Sequence, residues 1–134
     1  MITVGHLLEK KRNNIFTIKR DDSVQAALEI MAREKISSLP VVDDQGQLIG
    51  IISERDYIRK AVPERKATWD VTVNDLMTEN VLTVKQSDFL QECMKIMTTN
   101  RIRHLPVMND DSLLGILSIS DVVSALRSAR FILD

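Results

Sequence analysis

The sequence is poor in aromatic residues: three Phe, one Tyr and one Trp make up 4% of 134 residues. Its core therefore has to be aliphatic, built from Val, Ile, Leu and the six Met, within an ordinary hydrophobic content of 44%. A single cysteine, Cys93, excludes an intramolecular disulfide and suits a reducing compartment. It also falls on the apolar stripe of a predicted helix, which makes it a core residue rather than a nucleophile. The two histidines, His6 and His104, have none of the Cys/His spacing of a zinc site. No Gly-rich GxxxxGK[ST] phosphate loop occurs. Nor is there a run of roughly 18 apolar residues, so no membrane span is expected. The start, MITVGHLLEKKRNN, lacks the long apolar stretch of a signal peptide, and a cytoplasmic location is expected. Excess charge of either sign is missing as well: 18 basic against 19 acidic side chains leave a net charge of −1. That balance gives no global pull toward nucleic acid or an anionic membrane and makes nucleic-acid binding a poor expectation, with room only for a local patch around 99–104.

What the chain does have is a repeat. Residues 17–44, TIKRDDSVQAALEIMAREKISSLPVVDD, align without a gap with residues 83–110, TVKQSDFLQECMKIMTTNRIRHLPVMND. Thr17 matches Thr83, Asp22 matches Asp88, Ile36 matches Ile102, and Leu39-Pro40-Val41 matches Leu105-Pro106-Val107. After one residue is lost in a turn, GIISERD at 50–56 matches GILSISD at 115–121. The leaders TVGHLL at 3–8 and TVNDLM at 72–77 also echo each other. The chain reads as a tandem duplication, with residues 1–62 and 72–134 as the repeats and 63–71 as a polar linker. Each half alone would bury too little surface to be more than marginal, so two intertwined units are expected, facing each other about a pseudo-twofold axis.

Each repeat reads β-α-β-β-α, an α+β arrangement. IFTI at 15–18 and VLTV at 81–84 are β-prone. Val24, Ala27, Leu28 and Met31 recur at i, i+3, i+4 and i+7, as do Leu90, Cys93, Met94 and Met97. Ser23 or Asp22 is expected to cap the first of these helices, and Ser87 or Asp88 the second. LPVV and LIGIIS flank the turn DDQGQ; LPVM and LLGILS flank NDDS. DYIRKAV at 56–62 and DVVSALRSA at 121–129 close the repeats as helices.

The repeated Ser-x-x-Asp carries two readings. Ser53 with Asp56, and Ser118 with Asp121, fit a capping box, the acid also favouring the positive end of the helix dipole. Alternatively, a short Asp at a helix start can project into a cleft and accept hydrogen bonds from a ribose cis-diol. A helix N-terminus at the end of a strand is also an anion site, and Arg55 and Ser120 stand where they can add phosphate contacts. Arg101, Arg103 and His104 precede the second Leu-Pro-Val and can hold phosphate; equally, the arginines suit a helix C-terminus and His104 a structural role. Ser38 is the counterpart of His104, so the fold does not require a histidine there. Thr17 and Thr83 suit strands in any case.

Ile-x-x-Leu-Pro-Val, an acidic or Gly-containing turn, then Gly-Ile-apolar-Ser-x-x-Asp, all present twice in order, resembles the CBS domain. Over residues 3–129 the chain looks like a stand-alone tandem CBS pair, or Bateman module. The resemblance implies a regulatory module rather than an enzyme, with two clefts between the repeats for an adenosine ligand. AMP, ADP or ATP leads; S-adenosylmethionine or NADH is possible, and no cofactor is obligatory. One site would join Ser118, Ser120 and Asp121 with Thr17, with Ile36 and Ser37 framing adenine and Arg103 and His104 at phosphate. The other would join Ser53, Arg55 and Asp56 with Thr83, with Ile102 at the base and Ser37 and Ser38 in place of the basic pair. The first site is expected to be the tighter. A homodimer and a regulated protein partner of unknown identity are further implications. The competing expectation is a structural or partner-binding CBS module with no nucleotide.

Overall fold

The computed structural model describes residues 1–11 and 14–133, the last five of these as backbone only. In chain order the elements are α1 (Val4–Lys11), α2 (Val24–Glu34), β1 (Ser38–Val42), β2 (Leu48–Ser53), α3 (Glu54–Asp56), α4 (Val73–Leu76), β3 (Val84–Lys85), α5 (Leu90–Asn100), β4 (His104–Asn109), β5 (Ser112–Ser118) and α6 (Ile119–Leu133). The α3 turn continues as a π-helical turn at Tyr57–Ala61 and a 3-10 turn at Val62–Glu64.

Packing divides the chain into two compact units: Phe16–Val81, and Met1–Ile15 together with Leu82–Asp134. The partition at 62 and 72 expected from sequence follows the repeat, whereas these units cut the chain elsewhere. The reason is an exchange of leaders. Val4 N donates to Asp88 O and Gly5 N to Gln86 O, both at 2.9 Å, while Leu90 N donates to Ile2 O at 3.0 Å. In the other unit Val24 N donates to Val71 O, Val73 N to Asp22 O and Asn74 N to Arg20 O, all at 2.9 Å. Each leader thereby satisfies the first amide of a helix that lacks an intrahelical acceptor, and that helix belongs to the other repeat. Residues 63–71 are structured by the same packing: Gln25 N donates to Thr68 O at 2.9 Å, and Val71 is buried.

In the Phe16–Val81 unit β1 and β2 pair antiparallel, and Ile18 bridges Val41 in parallel. In the other unit β3 pairs parallel with β4, which pairs antiparallel with β5. The helix stripes point inward as predicted. Val24, Ala27 and Met31 pack with Leu39, Val41 and Ile52; Leu90, Cys93 and Met97 pack with Leu105, Val107 and Leu117. Among the described residues neither set of fully buried side chains includes an aromatic. Each large aliphatic side chain so buried contributes about 1.5–3 kcal/mol.

Two local expectations need correcting: IFTI at 15–18 forms no strand, only the bridge of Ile18 to Val41, and the cap expected for the second of the paired helices is missing. Ser23 caps α2 as expected, accepting from Ala26 N at 3.0 Å, but neither Ser87 nor Asp88 caps α5. The counterpart of Ser23 is Phe89, which has no capping oxygen. Asp22 and Asp88 instead close the preceding turns, accepting from Lys19 N at 3.0 Å and Lys85 N at 2.8 Å. Both helices then end alike. Lys35 and Arg101 adopt left-handed conformations, with φ of 58° and 54°. The next amides, Ile36 N and Ile102 N, reach back to Met31 O and Met97 O, each at 3.0 Å, in a Schellman arrangement.

Candidate functional site

The repeated motif forms a strand-to-helix elbow in each unit. At the end of β5, Asp121 N donates to Ser118 Oγ at 3.1 Å, and Ser118 N donates to Asp121 Oδ2 at 3.2 Å. At the end of β2, Asp56 N donates to Ser53 Oγ at 3.3 Å, and Ser53 N donates to Asp56 Oδ2 at 2.8 Å. Both are reciprocal capping boxes, so the structural reading of Ser-x-x-Asp holds at both positions.

The residues before Leu-Pro-Val lie against these elbows. Ile119 N donates to Arg103 O at 2.8 Å, and Glu54 N donates to Ser37 O at 3.1 Å. In the sheets His104 stands opposite Ser118, and Ser38 opposite Ser53. Arg103 and His104 are therefore brought to the elbow of Asp121, and Ser37 and Ser38 to the elbow of Asp56. Ser120 Oγ lies 3.0 Å from Ser118 Oγ. Arg103 and Ser120 are exposed, Arg55 and His104 half-buried, and Ser38 buried. Thr17 and Ile36 belong to the unit of Asp56, and Thr83 and Ile102 to the unit of Asp121. Both threonines are exposed, each one residue before a bridging or strand residue. Ile36 and Ile102 are half-buried against the cores of their own units.

Sequence reasoning missed two lysines. Lys11 Nζ donates to Asp121 Oδ2 at 2.6 Å and to Ile116 O at 3.0 Å. Lys60 Nζ lies 3.1 Å from Asp56 Oδ1 and donates to Leu76 O at 2.8 Å. Lys60 was findable as an i+4 partner of Asp56. Lys11 had no local signal, because α1 reaches β5 only through the leader exchange.

The two carboxylates are consequently engaged differently. Asp56 accepts from Ser53 N and Oγ on Oδ2 and meets Lys60 on Oδ1. Asp121 accepts from Ser118 N and Lys11 Nζ on Oδ2; among the described residues no hydrogen bond reaches Oδ1. Burial pushes the Asp121 carboxyl up, but hydrogen bonds from Lys11 and Ser118 outweigh it and hold the group below the ordinary carboxylate range. It stands ready as an acceptor-only anion.

The motif's glycines serve packing. A Cβ on Gly50 would lie 2.9 Å from both Met77 Sδ and Thr78 O; one on Gly115 would lie 3.2 Å from Leu8 Cδ2. Met77 and Leu8 are equivalent leader positions, so each glycine admits the exchanged leader. Cys93 is buried, and burial pushes its thiol up to about 11, which makes it a poor nucleophile. Among the described residues no group of three or more His, Cys, Asp or Glu is placed to hold a metal, and no helix is long and apolar enough to cross a membrane.

Comparison with known proteins agrees with the repeat. The CBS domain model matches residues 4–62 and 73–128. The CBS domain-containing protein CBSX3, mitochondrial, of Arabidopsis thaliana is 40% identical over 110 residues, covering 79% of this chain. The chain spans 53% of that relative's length. Two solved structures are similar along nearly the whole chain. CBSX2 in complex with AMP is 30% identical, with a TM-score of 0.75, covering 97% of this chain and 99% of that one. The CBS domain pair of protein MJ0100, in complex with 5′-methylthioadenosine and S-adenosyl-L-methionine, is 27% identical, with a TM-score of 0.83, covering 97% and 98%.

Proposed function

The chain belongs to the CBS-domain family, with two CBS repeats in tandem, and on that premise we propose that it is a non-catalytic regulatory module for an adenosine-containing ligand. AMP, ADP or ATP is the first choice; S-adenosylmethionine and NADH are the alternatives within the class. The observation that carries this reading is the state of Asp121. It is ionised at an elbow, with its donors among the described residues gathered on one oxygen, and with Arg103 and His104 where the adjacent strand begins. A ribose hydroxyl can donate to Oδ1 without breaking any of the contacts described for Asp121. At Asp56 both oxygens are already engaged, so the Asp121 elbow is the tighter of the two. Arg103, His104 and Ser120 serve phosphate there, and Ser37, Ser38, Ser53 and Arg55 are the corresponding groups at the weaker elbow. Thr17, Ile36, Thr83 and Ile102 are further ligand contacts in this proposal. The solved AMP and S-adenosylmethionine complexes of similar proteins support the ligand class.

A homodimer in a reducing, cytoplasmic setting, acting on a protein partner, completes the proposal. Ile58 and Val62, exposed four residues apart on one helical run, support self-association. A second reading, a CBS module without a ligand, draws on the same elbows, since both carboxylates already have partners inside their own unit.

A thermal-shift panel of AMP, ADP, ATP, S-adenosylmethionine and NADH separates the two. Ligand at a hundredfold excess over Kd stabilises by about 2.7 kcal/mol, roughly 10 °C in Tm for a chain of this size. At least one member of the panel is expected to give such a shift. Ligand-free protein that ignores all five belongs to the second reading.

A further inference from the structure

Lys11 does something at the Asp121 elbow that the ribose reading alone leaves out. Its side chain is 24% exposed and that of Asp121 28%, so the pair is partly withdrawn from water. A carboxylate oxygen offers two lone pairs, and Oδ2 of Asp121 spends them on Lys11 Nζ at 2.6 Å and Ser118 N at 3.2 Å. A cis-diol that grips a carboxylate through both hydroxyls needs both oxygens. Oδ1 is reached directly; Oδ2 is reached only if one of its two donors yields. Ser118 N is main chain, held at the end of β5. Lys11 is the donor that can move, because its ammonium sits on a flexible stem.

Displacing that ammonium costs the ligand a charge-assisted bond. A neutral nucleoside returns nothing for it. A nucleotide brings a phosphate that the released ammonium can meet. Competition and counter-charge therefore act in the same direction. We propose that Lys11 is a specificity-determining residue, which makes the Asp121 elbow favour a phosphorylated nucleotide over the neutral nucleoside. The proposal rests on Asp121 as the ribose ligand. Among the described residues Lys60 is no counterpart at the other elbow: it comes from the same helical run as Asp56 and meets Oδ1, while Ser53 N and Oγ occupy Oδ2.

The test is calorimetric titration of the full chain with AMP and with adenosine, using wild type, Lys11→Met, Lys11→Arg and Asp121→Asn, with circular dichroism confirming that each variant is folded. Wild type is expected to bind AMP at least about tenfold more tightly than adenosine. Lys11→Met should narrow that preference to about threefold or less, and should bind adenosine more tightly than wild type does. Lys11→Arg, which keeps the cation, should retain the preference. A Lys11→Met protein that binds both ligands with an unchanged ratio overturns the proposal and leaves the ribose reading standing; so does a wild type that binds both equally. If wild type binds neither ligand, the preference assigned to Lys11 falls; if Asp121→Asn binds both as wild type does, the ribose reading itself falls and the role of Lys11 with it.

Discussion

Gly50 and Gly115 occupy the same place in the two repeats, yet substituting alanine at each should have very different consequences. At Gly50 the new methyl group would stand 2.9 Å from Thr78 O and 2.9 Å from Met77 Sδ. The sulfur can swing aside, but the carbonyl cannot retreat: Thr78 O accepts from Ile51 N at 3.0 Å, and Thr78 N donates to Ile51 O at 2.9 Å. Relief therefore requires β2 and the leader at 72–78 to separate, with loss of that bridge. Overpacking of this kind costs about 1–3 kcal/mol, and the backbone contact puts Gly50→Ala at the upper end. At Gly115 the close atom among the described residues is Leu8 Cδ2 at 3.2 Å, the tip of a flexible side chain on α1. A few tenths of an ångström suffice there, and the reduced entropy of the unfolded chain returns about 0.4–1 kcal/mol. Gly115→Ala should thus lie near zero. Urea unfolding of the two variants and wild type measures the difference as a shift in midpoint at constant slope. A gap of about 2 kcal/mol is expected, Gly50→Ala being the less stable. Equal destabilisation, or the reverse order, would refute the leader packing as the reason for these glycines.

Asp121→Asn should destabilise the ligand-free protein by about 1 kcal/mol at pH 7, by weakening a partly exposed ion pair and a capping box. Because the folded carboxyl lies below its ordinary value, this contribution is present above the unfolded pKa and disappears as pH falls through the folded one. Denaturation curves of the variant and wild type should therefore converge as pH falls below the ordinary carboxylate range and the folded carboxyl is protonated; a gap that is independent of pH counts against the charge as its source. Lys35→Gly and Arg101→Gly relieve left-handed strain at the ends of α2 and α5, and each should raise stability by about 0.5 kcal/mol in the same assay. A loss at either position would mean that its side chain contributes more than its φ of 58° or 54° costs.

The parts of the molecule that could be read from sequence are those set by short-range pattern. The stripes of Val24–Met31 and Leu90–Met97, the turns between strand pairs and the two Ser-x-x-Asp boxes depend on residues a few positions apart, and all have their predicted form. β-pairing sets His104 opposite Ser118 and Ser38 opposite Ser53, so each stands at an elbow; that the residues before Leu-Pro-Val meet a ligand there is the proposal, drawn from resemblance. The exchange of leaders was not legible, because it consists of main-chain bonds between distant segments that carry no side-chain signature. Lys11 was hidden for the same reason. Phe89 shows how a repeat can mislead: Ser87 and Asp88 look like caps, but the position that matters is the one aligned with Ser23. The first repeat's closing helix begins at Glu54 rather than at 56 because Ser53 is already its cap, and its π-helical turn has no sequence signal that we can identify.

The central claim is that an adenosine ligand binds through the carboxylate of Asp121. Calorimetric titration of ligand-free protein with AMP, carried out in parallel on wild type, Asp121→Ala and Asp56→Ala, tests it most directly. Loss of charge-assisted bonds to ribose should weaken the tighter binding event by about 2–3 kcal/mol in Asp121→Ala, roughly 30- to 150-fold in Kd, with a much smaller change in Asp56→Ala. Unchanged affinity in Asp121→Ala would contradict the assignment.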